Sequence, residues 1–399
     1  MIKTAIKWSL SKATVAIFVI IGLPILYILE PFVQIRLGLM YNRRIGHMAL
    51  NTELFLKHCE VFPLKPRTFY IFALYNPCNR QLAEMIKRHL TIIESKTFVW
   101  FIMTIRNILK ETRFFEALPL HTIEKRHALI NRGTSKLSFN EGEDARGRDI
   151  LHKMGIGADD WYVCFASRDL VYLNTWSPAD QKIFAHTAFR NCEVESFRKA
   201  AESVTNDGGF AVRVGSMVKD PFPPNGNPRI IDYSTDYQSD FGDVYVTAKC
   251  RAFISANSGI MMPPSMMGVR IGMVNTIPFF ARSLRDTDLF IPKLLRDEKS
   301  KKLLSFSQCY DLGFFDHKGN TIFLQTCDKN GLEIIDNTDE DILGITHDAI
   351  ETTPETLSSE LRDLQEIFRN RFHHFDGRIG HGGMISPTFA KKYESLIRD

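Results

Sequence analysis

The stretch Ile230 to Asn275, IIDYSTDYQSDFGDVYVTAKCRAFISANSGIMMPPSMMGVRIGMVN, decides the fold. Asp240 to Cys250 sets Phe241, Val244, Tyr245 and Ala248 on one face of a helix. Arg251 to Ala256 is an apolar run with the length of a buried strand. It breaks at Asn257-Ser258-Gly259, and a helix begins at once, because Pro263 and Pro264 are tolerated only near a first turn. Gly268 closes that helix, and Val269 to Val274 is a second buried strand. A strand that passes through a Ser-Gly turn into a helix N-terminus offers unpaired N–H groups and the positive end of a dipole. This predicts a phosphate-holding turn, suited to the diphosphate of a nucleotide-activated substrate.

The same alternation extends outward. Upstream, Trp161 to Ala166 reads as a strand, Glu193 to Ser203 as a helix, and Phe210 to Val214 as a strand that stops at Gly215. Strands alternating with helices imply a parallel sheet covered on both faces. Nearer the start, Val33 to Met40, a loop containing His47, and a helix over Met48 to His58 form the opening unit of a Rossmann-type half. Thr68 to Leu74 is a further strand, with helices over Asn76 to His89 and Lys96 to Lys110. Asn131 to Asp160 reads as the crossing between domains, with one helical piece near Asp149 to Met154. Beyond Asn275, Asp288 to Lys293 leads into a charged helix, Leu303 to Cys309 is short and apolar, and Leu357 to Phe372 is an amphipathic helix. The division expected is 1–32, 33–155, 156–350 and 351–399: an N-terminal apolar segment, a first Rossmann-like domain, a second Rossmann-like domain, and C-terminal helices with a tail.

Composition removes several function classes. A chain of 399 residues, 44% apolar, is long enough for two full cores. A formal charge of +4 with no basic run interleaved with aromatics argues against nucleic acid. The seven cysteines are scattered singly, with neither C-x-x-C nor zinc spacing, which suits a reducing compartment. No G-x-G-x-x-G occurs, so a nicotinamide or flavin enzyme is not expected. Ala13 to Leu29 is an uncharged apolar run of 17 residues, preceded by Lys3, Lys7 and Lys12 and followed by Arg36, Arg43 and Arg44. No small-residue cleavage site follows it, so it is not a signal peptide. It reads as a retained membrane segment, kinked or re-entrant at Gly22 and Pro24; a buried core helix is the alternative. Positive charge at both ends leaves its orientation open.

Ligands of parallel sheets sit beyond the carboxyl ends of the strands. The residues collected there are Ser167, Arg168 and Asp169, Arg213 and Gly215, Asn257, Ser258 and Gly259, and Asn275. Arg168 and Arg213 would grip phosphates through bidentate guanidinium contacts, and Gly215 would let backbone approach a ligand. Asp240 would contact base or ribose, or serve as a helix N-cap. Arg168 beside Asp169 is also readable as a structural ion pair.

The motifs CFASRDLVYLNT (Cys164–Thr175), FRNCEVESF (Phe189–Phe197), AVRVGS (Ala211–Ser216), the Asp240-x-x-Asp243 helix, ISANSG (Ile254–Gly259) and DLFIPKLL (Asp288–Leu295), with RIGHMALNTELFL (Arg44–Leu56) ahead of them, occur in one order. In that order the chain resembles a family of bacterial glycosyltransferases found in surface-polysaccharide gene clusters, such as those for lipopolysaccharide or capsule. That family is more distantly similar to metal-independent fucosyltransferases built from two Rossmann domains. The resemblance runs from Arg44 to about Thr353. It implies an α/β chain of GT-B type, two Rossmann-like domains with a cleft between them, here carrying an N-terminal apolar membrane segment. It also implies a nucleotide-sugar donor held by Arg168, Asp169, Arg213, Gly215, Asp240, Asp243, Ser258, Gly259 and Asn275. Ala166 and Ser167 stand where related sequences often carry a His before the Arg-Asp pair.

An inverting transfer needs a base for the acceptor hydroxyl. His47, on the loop after the first strand, is the first choice and Glu53 the second; an N-cap or packed loop histidine is the other reading of His47. Arg43 and Arg44 would attract an anionic lipid-linked acceptor or the membrane surface. The Asp-x-Asp forms Asp286-Thr287-Asp288 and Asp339-Glu340-Asp341 read as solvated loop charges. His373, His374 and His381 with Asp376 lack ligand spacing, and Ser258 lacks a G-x-S-x-G elbow. The expected protein is thus a metal- and cofactor-independent hexosyl- or deoxyhexosyl-transferase, membrane-associated on the cytoplasmic face of the bacterial inner membrane, that modifies a surface glycan or its lipid carrier and binds no nucleic acid. The alternatives are a nucleotide-sugar epimerase of the same fold and a degenerate glycan-binding scaffold.

Overall fold

The structure is a computed structural model. It describes residues 2–62, 66–118, 129–132, 134–176, 187–224, 226–279, 285–315, 319–370 and 382–399. The chain forms two compact units, Met1–Thr122 and Ile123–Asp399.

The smaller unit holds four strands, β1 (Gln34–Leu39), β2 (Thr68–Leu74), β3 (Thr91–Glu94) and β4 (Phe115–Ala117), all parallel in the order β3-β2-β1-β4. The strand order reverses between β1 and β4, which is the Rossmann arrangement. The central strand needs Gly38: a Cβ there would fall 2.4 Å from the Glu116 carbonyl oxygen and 2.6 Å from the Phe72 ring. The helix Ile45–Val61 follows β1, and its Phe55 ring meets Tyr70 and Phe72 of β2 edge-on.

The N-terminal segment is helical without interruption from Ile2 to Leu29, so the re-entrant hairpin is not formed. Pro24 removes a backbone donor, and the chain accommodates it by widening to a π-helix over Phe18–Gly22 before resuming as Leu23–Leu29. Phe18, Leu23 and Leu26 pack with Ile102, Ile105 and Leu109 of the helix Lys96–Leu109 and with Phe114.

The larger unit contains a seven-stranded sheet in the order β13-β10-β9-β8-β5-β6-β7, every pair parallel. Its strands are β5 (Tyr162–Ala166), β6 (Phe210–Arg213), β7 (Ile230–Asp232), β8 (Ala252–Ala256), β9 (Arg270–Thr276), β10 (Leu289–Pro292) and β13 (Met384–Ile385). Every residue of β5, β6 and β8 is buried, which is why these segments read as largely apolar, broken only by Arg213 and Ser255. The order reverses between β5 and β8. The helix Asp240–Lys249 has Phe241 to Thr247 all buried. Against it packs the helix Glu141–Lys153, so closely that a Cβ on Gly147 would sit 2.1 Å from Tyr245 Cζ. That helix is longer than the piece expected at Asp149 to Met154. Its start is set by a capping box between Asn140 and Glu143.

One expectation downstream of Asn275 is corrected. The charged helix after Lys293 is instead a strand, β11 (Leu294–Asp297), antiparallel to β12 (Leu332–Ile335) and held by Arg296–Glu333 at 2.7 Å. The end of the tail is helical over Pro387–Lys392 and Glu394–Arg398, and ahead of these Met384–Ile385 joins the edge of the large sheet, where Gln365 of the helix Ser359–Asn370 both donates to and accepts from Ile385.

Candidate functional site

Each of the two parallel sheets has one switch point, and each switch point opens beyond the carboxyl ends of its strands. In the larger unit, the register Ala166↔Ser255 sets the ends of β5 and β8 level. The chain leaves β5 through Ser167-Arg168-Asp169 and leaves β8 through Asn257-Ser258-Gly259. Ser258 has extended backbone (φ −135°, ψ 157°), and a 3-10 turn, Gly259–Met261, opens into the helix Met262–Met266 with the prolines in its first turn. The Ser258 side chain makes no capping bond. Ser258 is half-buried and Gly259 exposed.

The cation that meets this turn is Arg190, half-buried, whose Nη2 donates to the Asn257 carbonyl at 3.2 Å. Arg168 takes a different part from the one expected. It is 8% exposed; Nη1 donates to Thr187 O (3.0 Å) and Asn191 Oδ1 (2.6 Å), and Nη2 to Thr187 Oγ1 (3.0 Å). Its own carbonyl accepts from Cys192 N–H at 3.2 Å. Arg168 therefore braces the segment 187–192 that carries Arg190. Lys293, 2% exposed at the end of β10, grips the same segment: Nζ donates to Asn191 O at 3.0 Å and Asp336 Oδ1 at 2.6 Å. Arg190 and Lys293 lie inside the FRNCEVESF and DLFIPKLL motifs. The only sequence signal was a charged residue inside a segment that carries the resemblance, and nothing local to either residue pointed at the β8 turn.

The remaining expected contacts divide. Arg213 is 1% exposed and lies inside the fold, with Nη1 3.1 and 3.3 Å from the Asp232 carboxylate and Nη2 donating to Asp220 O at 2.9 Å. Here its guanidinium fastens the 220–222 loop to β7 and does not face the β5–β8 crevice. Asn275 is 1% exposed with φ +51°, a conformation Asn tolerates. It exchanges bonds with Asn337: N–H to Oδ1 at 2.5 Å, and Oδ1 from the Asn337 N–H at 2.7 Å. That pair locks the end of β9. Asp169 joins two loops at the carboxyl edge, accepting from Val171 N–H (2.8 Å) and Lys219 N–H (2.9 Å). Gly215 packs on Val218, where a Cβ would come within 2.7 Å.

Asp240 is exposed, and the N-cap of its helix is Ser239, which accepts from Gly242 N–H. Asp243 is 3% exposed; Oδ1 accepts from Tyr233 OH (3.2 Å) and Oδ2 from Gln238 Nε2 (3.0 Å). Burial pushes its carboxyl up to about 7, against the lowering pull of the Gln238 and Tyr233 hydrogen bonds. Because the folded state holds this proton more tightly than the unfolded chain, the contribution of Asp243 to stability is most favourable below pH 4. It declines between pH 4 and about 7 and stays low above that. Asp243→Asn, with the Gln238 amide turned to accept, removes the decline. Urea midpoints measured from pH 5 to 8 should show the variant gaining on the native protein by a few kcal/mol as pH rises. Parallel curves would show that Asp243 ionises as freely as an exposed carboxylate.

In the smaller unit the helix Ile45–Val61 starts just beyond β1, beside the β1–β4 switch point. His47 is half-buried in its first turn, and its ring meets Tyr41 at 4.8 Å, edge-on. The helix is entered through Arg44 in extended conformation, so His47 is not its N-cap. Asn51, one turn on, is 1% exposed, and neither atom of its amide has a hydrogen-bond partner among the described residues. Glu53 is 0% exposed with Lys57 Nζ 3.9 Å away, about 9 Å further along the helix than His47. It is placed in the packing of that helix and not at the strand ends.

Asp288 is not a solvated loop charge: it is 1% exposed and accepts from Ile271 N–H and Arg285 N–H. Asp341 closes a capping box with Thr338. Among the described residues no group of three His, Cys, Asp or Glu side chains is arranged to hold a metal ion. His373, His374, Asp376 and His381 lie outside the described residues.

No protein-family model matches the chain, and no curated protein matches it. Among solved structures, it is similar to a family 9 glycosyltransferase from Veillonella parvula, at 11% identity and TM-score 0.44 over 79% of this chain and 97% of that one. It is also similar to the E. coli ADP-heptose lipopolysaccharide heptosyltransferase II (12% identity, TM-score 0.41, 74% and 98% covered). A third is E. coli heptosyltransferase WaaC with ADP-2-deoxy-2-fluoro heptose (9% identity, TM-score 0.36, 74% and 100% covered). Likeness at this level does not bear on what the crevice binds.

Proposed function

We propose that the protein is a glycosyltransferase that moves a hexosyl or deoxyhexosyl group from a nucleotide-sugar donor to a surface glycan or its lipid carrier, at the cytoplasmic face of the inner membrane. The observation that carries this reading is Arg190 set against the Asn257-Ser258-Gly259 turn at the β5–β8 switch point. A leaving nucleoside diphosphate gains negative charge as the sugar–oxygen bond breaks. A guanidinium and backbone N–H groups fixed beforehand stabilise that charge at no cost of reorganisation during the reaction. Ser258 Oγ supplies a further donor. Asp240, exposed beyond β7, is suited to a nucleoside hydroxyl. On the acceptor side, His47 takes the hydroxyl proton while the acceptor oxygen attacks the anomeric carbon, so the configuration inverts. No residue in this scheme requires a metal to act.

Thermal shift with ADP, GDP, UDP and CDP tests the donor site. A matching diphosphate at a hundred- to thousand-fold excess over its dissociation constant is expected to stabilise the fold by about 3–4 kcal/mol. Four unmoved melting points would sink the proposal. A second reading, a binding protein without turnover, is favoured by Ala166 and Ser167 in place of a His and by the internal commitments of Arg168 and Arg213. Nucleotide binding with no sugar incorporated into lysate glycans would select it.

A further inference from the structure

We infer that the N-terminal helix lies in the plane of one membrane leaflet as a monotopic anchor and does not cross the bilayer. The inference does not depend on the transfer reaction. A spanning helix needs about 20 apolar residues placed within the hydrocarbon core. Leu10–Leu29 has the length and composition and is 11% buried, but one face of its second half is docked against the rest of its unit. Phe18 is 5% exposed and meets Phe101 at 6.2 Å; Tyr27 meets Phe114 at 4.9 Å; Leu23 and Leu26 join the same apolar cluster. Glu30 then pairs with Arg36 of β1 at 2.9 Å, fixing the helix end to the sheet. What remains free of this packing is at most Ile2–Ile17, too short to span and carrying Lys3, Lys7 and Lys12.

The opposite face is apolar and open. Leu10, Ile17, Ile21, Ile25 and Ile28 recur at helical spacing and are 47–67% exposed, and Phe32, just past the helix, is 64% exposed. A continuous apolar stripe on one side with a docked side behind it is the geometry of a helix sunk partway into a leaflet. Charge chooses the leaflet. No acidic residue precedes Glu30, while three lysines do; Arg113 lies over the Tyr27 ring at 5.3 Å. The cationic charge of this part of the chain complements anionic headgroups.

The test uses the full chain. Native protein is expected to float with phosphatidylcholine vesicles containing phosphatidylglycerol, less well with phosphatidylcholine alone. The double variant Ile20→Lys with Ile28→Lys, at positions 72% and 67% exposed, should lose flotation at least tenfold with an unchanged melting point. Undiminished flotation of the variant would overturn the inference, as would native protein that ignores vesicles and self-associates through this face. For topology, an N-terminal epitope tag and the rest of the chain should resist protease together in spheroplasts and be cut together after lysis. Removal of one without the other would mean the helix spans.

Discussion

Arg213→Met is expected to destabilise the larger unit by about 3–5 kcal/mol, because breaking a buried ion pair leaves its partner charged and unpaired. Arg213 is among the largest side chains fully enclosed by the fold. Its Nη1 faces both oxygens of Asp232, and Asp232 Oδ2 also accepts from Phe222 N–H at 2.7 Å. Nη2 holds the Asp220 carbonyl. The substitution therefore leaves a carboxylate without its cation and frees the loop that presents Phe222 to Phe165 (5.2 Å) and Arg198 (4.6 Å). Equilibrium urea unfolding reads the loss directly. Adding Asp232→Asn to the variant should recover part of it, since the unpaired charge is then gone. A loss below about 1 kcal/mol, the size of a surface pair, would mean the Arg213–Asp232 contact is solvated and would reopen Arg213 as a ligand for phosphate.

That result would also show where sequence reading stops. Buried strands are legible because an unbroken apolar run of five or six residues ending in polar residues has few other uses. β2 matches its expected bounds, Thr68 to Leu74, and β5, β8 and β9 fall within two residues of theirs. The turn at Ser258 was legible for the same reason, with Pro263 and Pro264 permitting only a helix start. The partners of an arginine are not legible. Arg168 follows β5 and Arg213 closes β6, while Arg190 sits in the 3-10 turn Ala188–Arg190, away from any strand end; in sequence none of the three announces its partner. What separates them is contact across 19 residues for Arg213 with Asp232, 23 for Arg168 with Asn191, and 67 for Arg190 with Asn257. The periodic pattern of one segment carries no trace of such pairings. β11 was misread for a related reason: Leu294–Asp297 is short and charged, and it is a strand only because β12 comes alongside it.

Arg190→Ala is expected to weaken nucleotide binding while leaving the fold intact. One charge-assisted contact to a phosphate contributes about 1.5–3 kcal/mol, so the dissociation constant of the matching diphosphate should rise about 10- to 150-fold. Turnover should fall further than binding, by about 10²–10³, if the guanidinium meets charge that develops only as the sugar leaves. Arg190→Lys keeps the charge but not the planar fork, and should fall between native and alanine variants. The contrast with Arg168 makes the experiment decisive. Arg168 braces residues 187–192 from within, through Thr187 and Asn191, so Arg168→Ala should lower the melting point as well as weaken binding. Arg190→Ala should weaken binding alone, as read by titration calorimetry beside a melting curve. If Arg190→Ala binds diphosphate as tightly as the native protein, the charge at the β5–β8 switch point has another use, and the donor site must be sought elsewhere on the sheet edge.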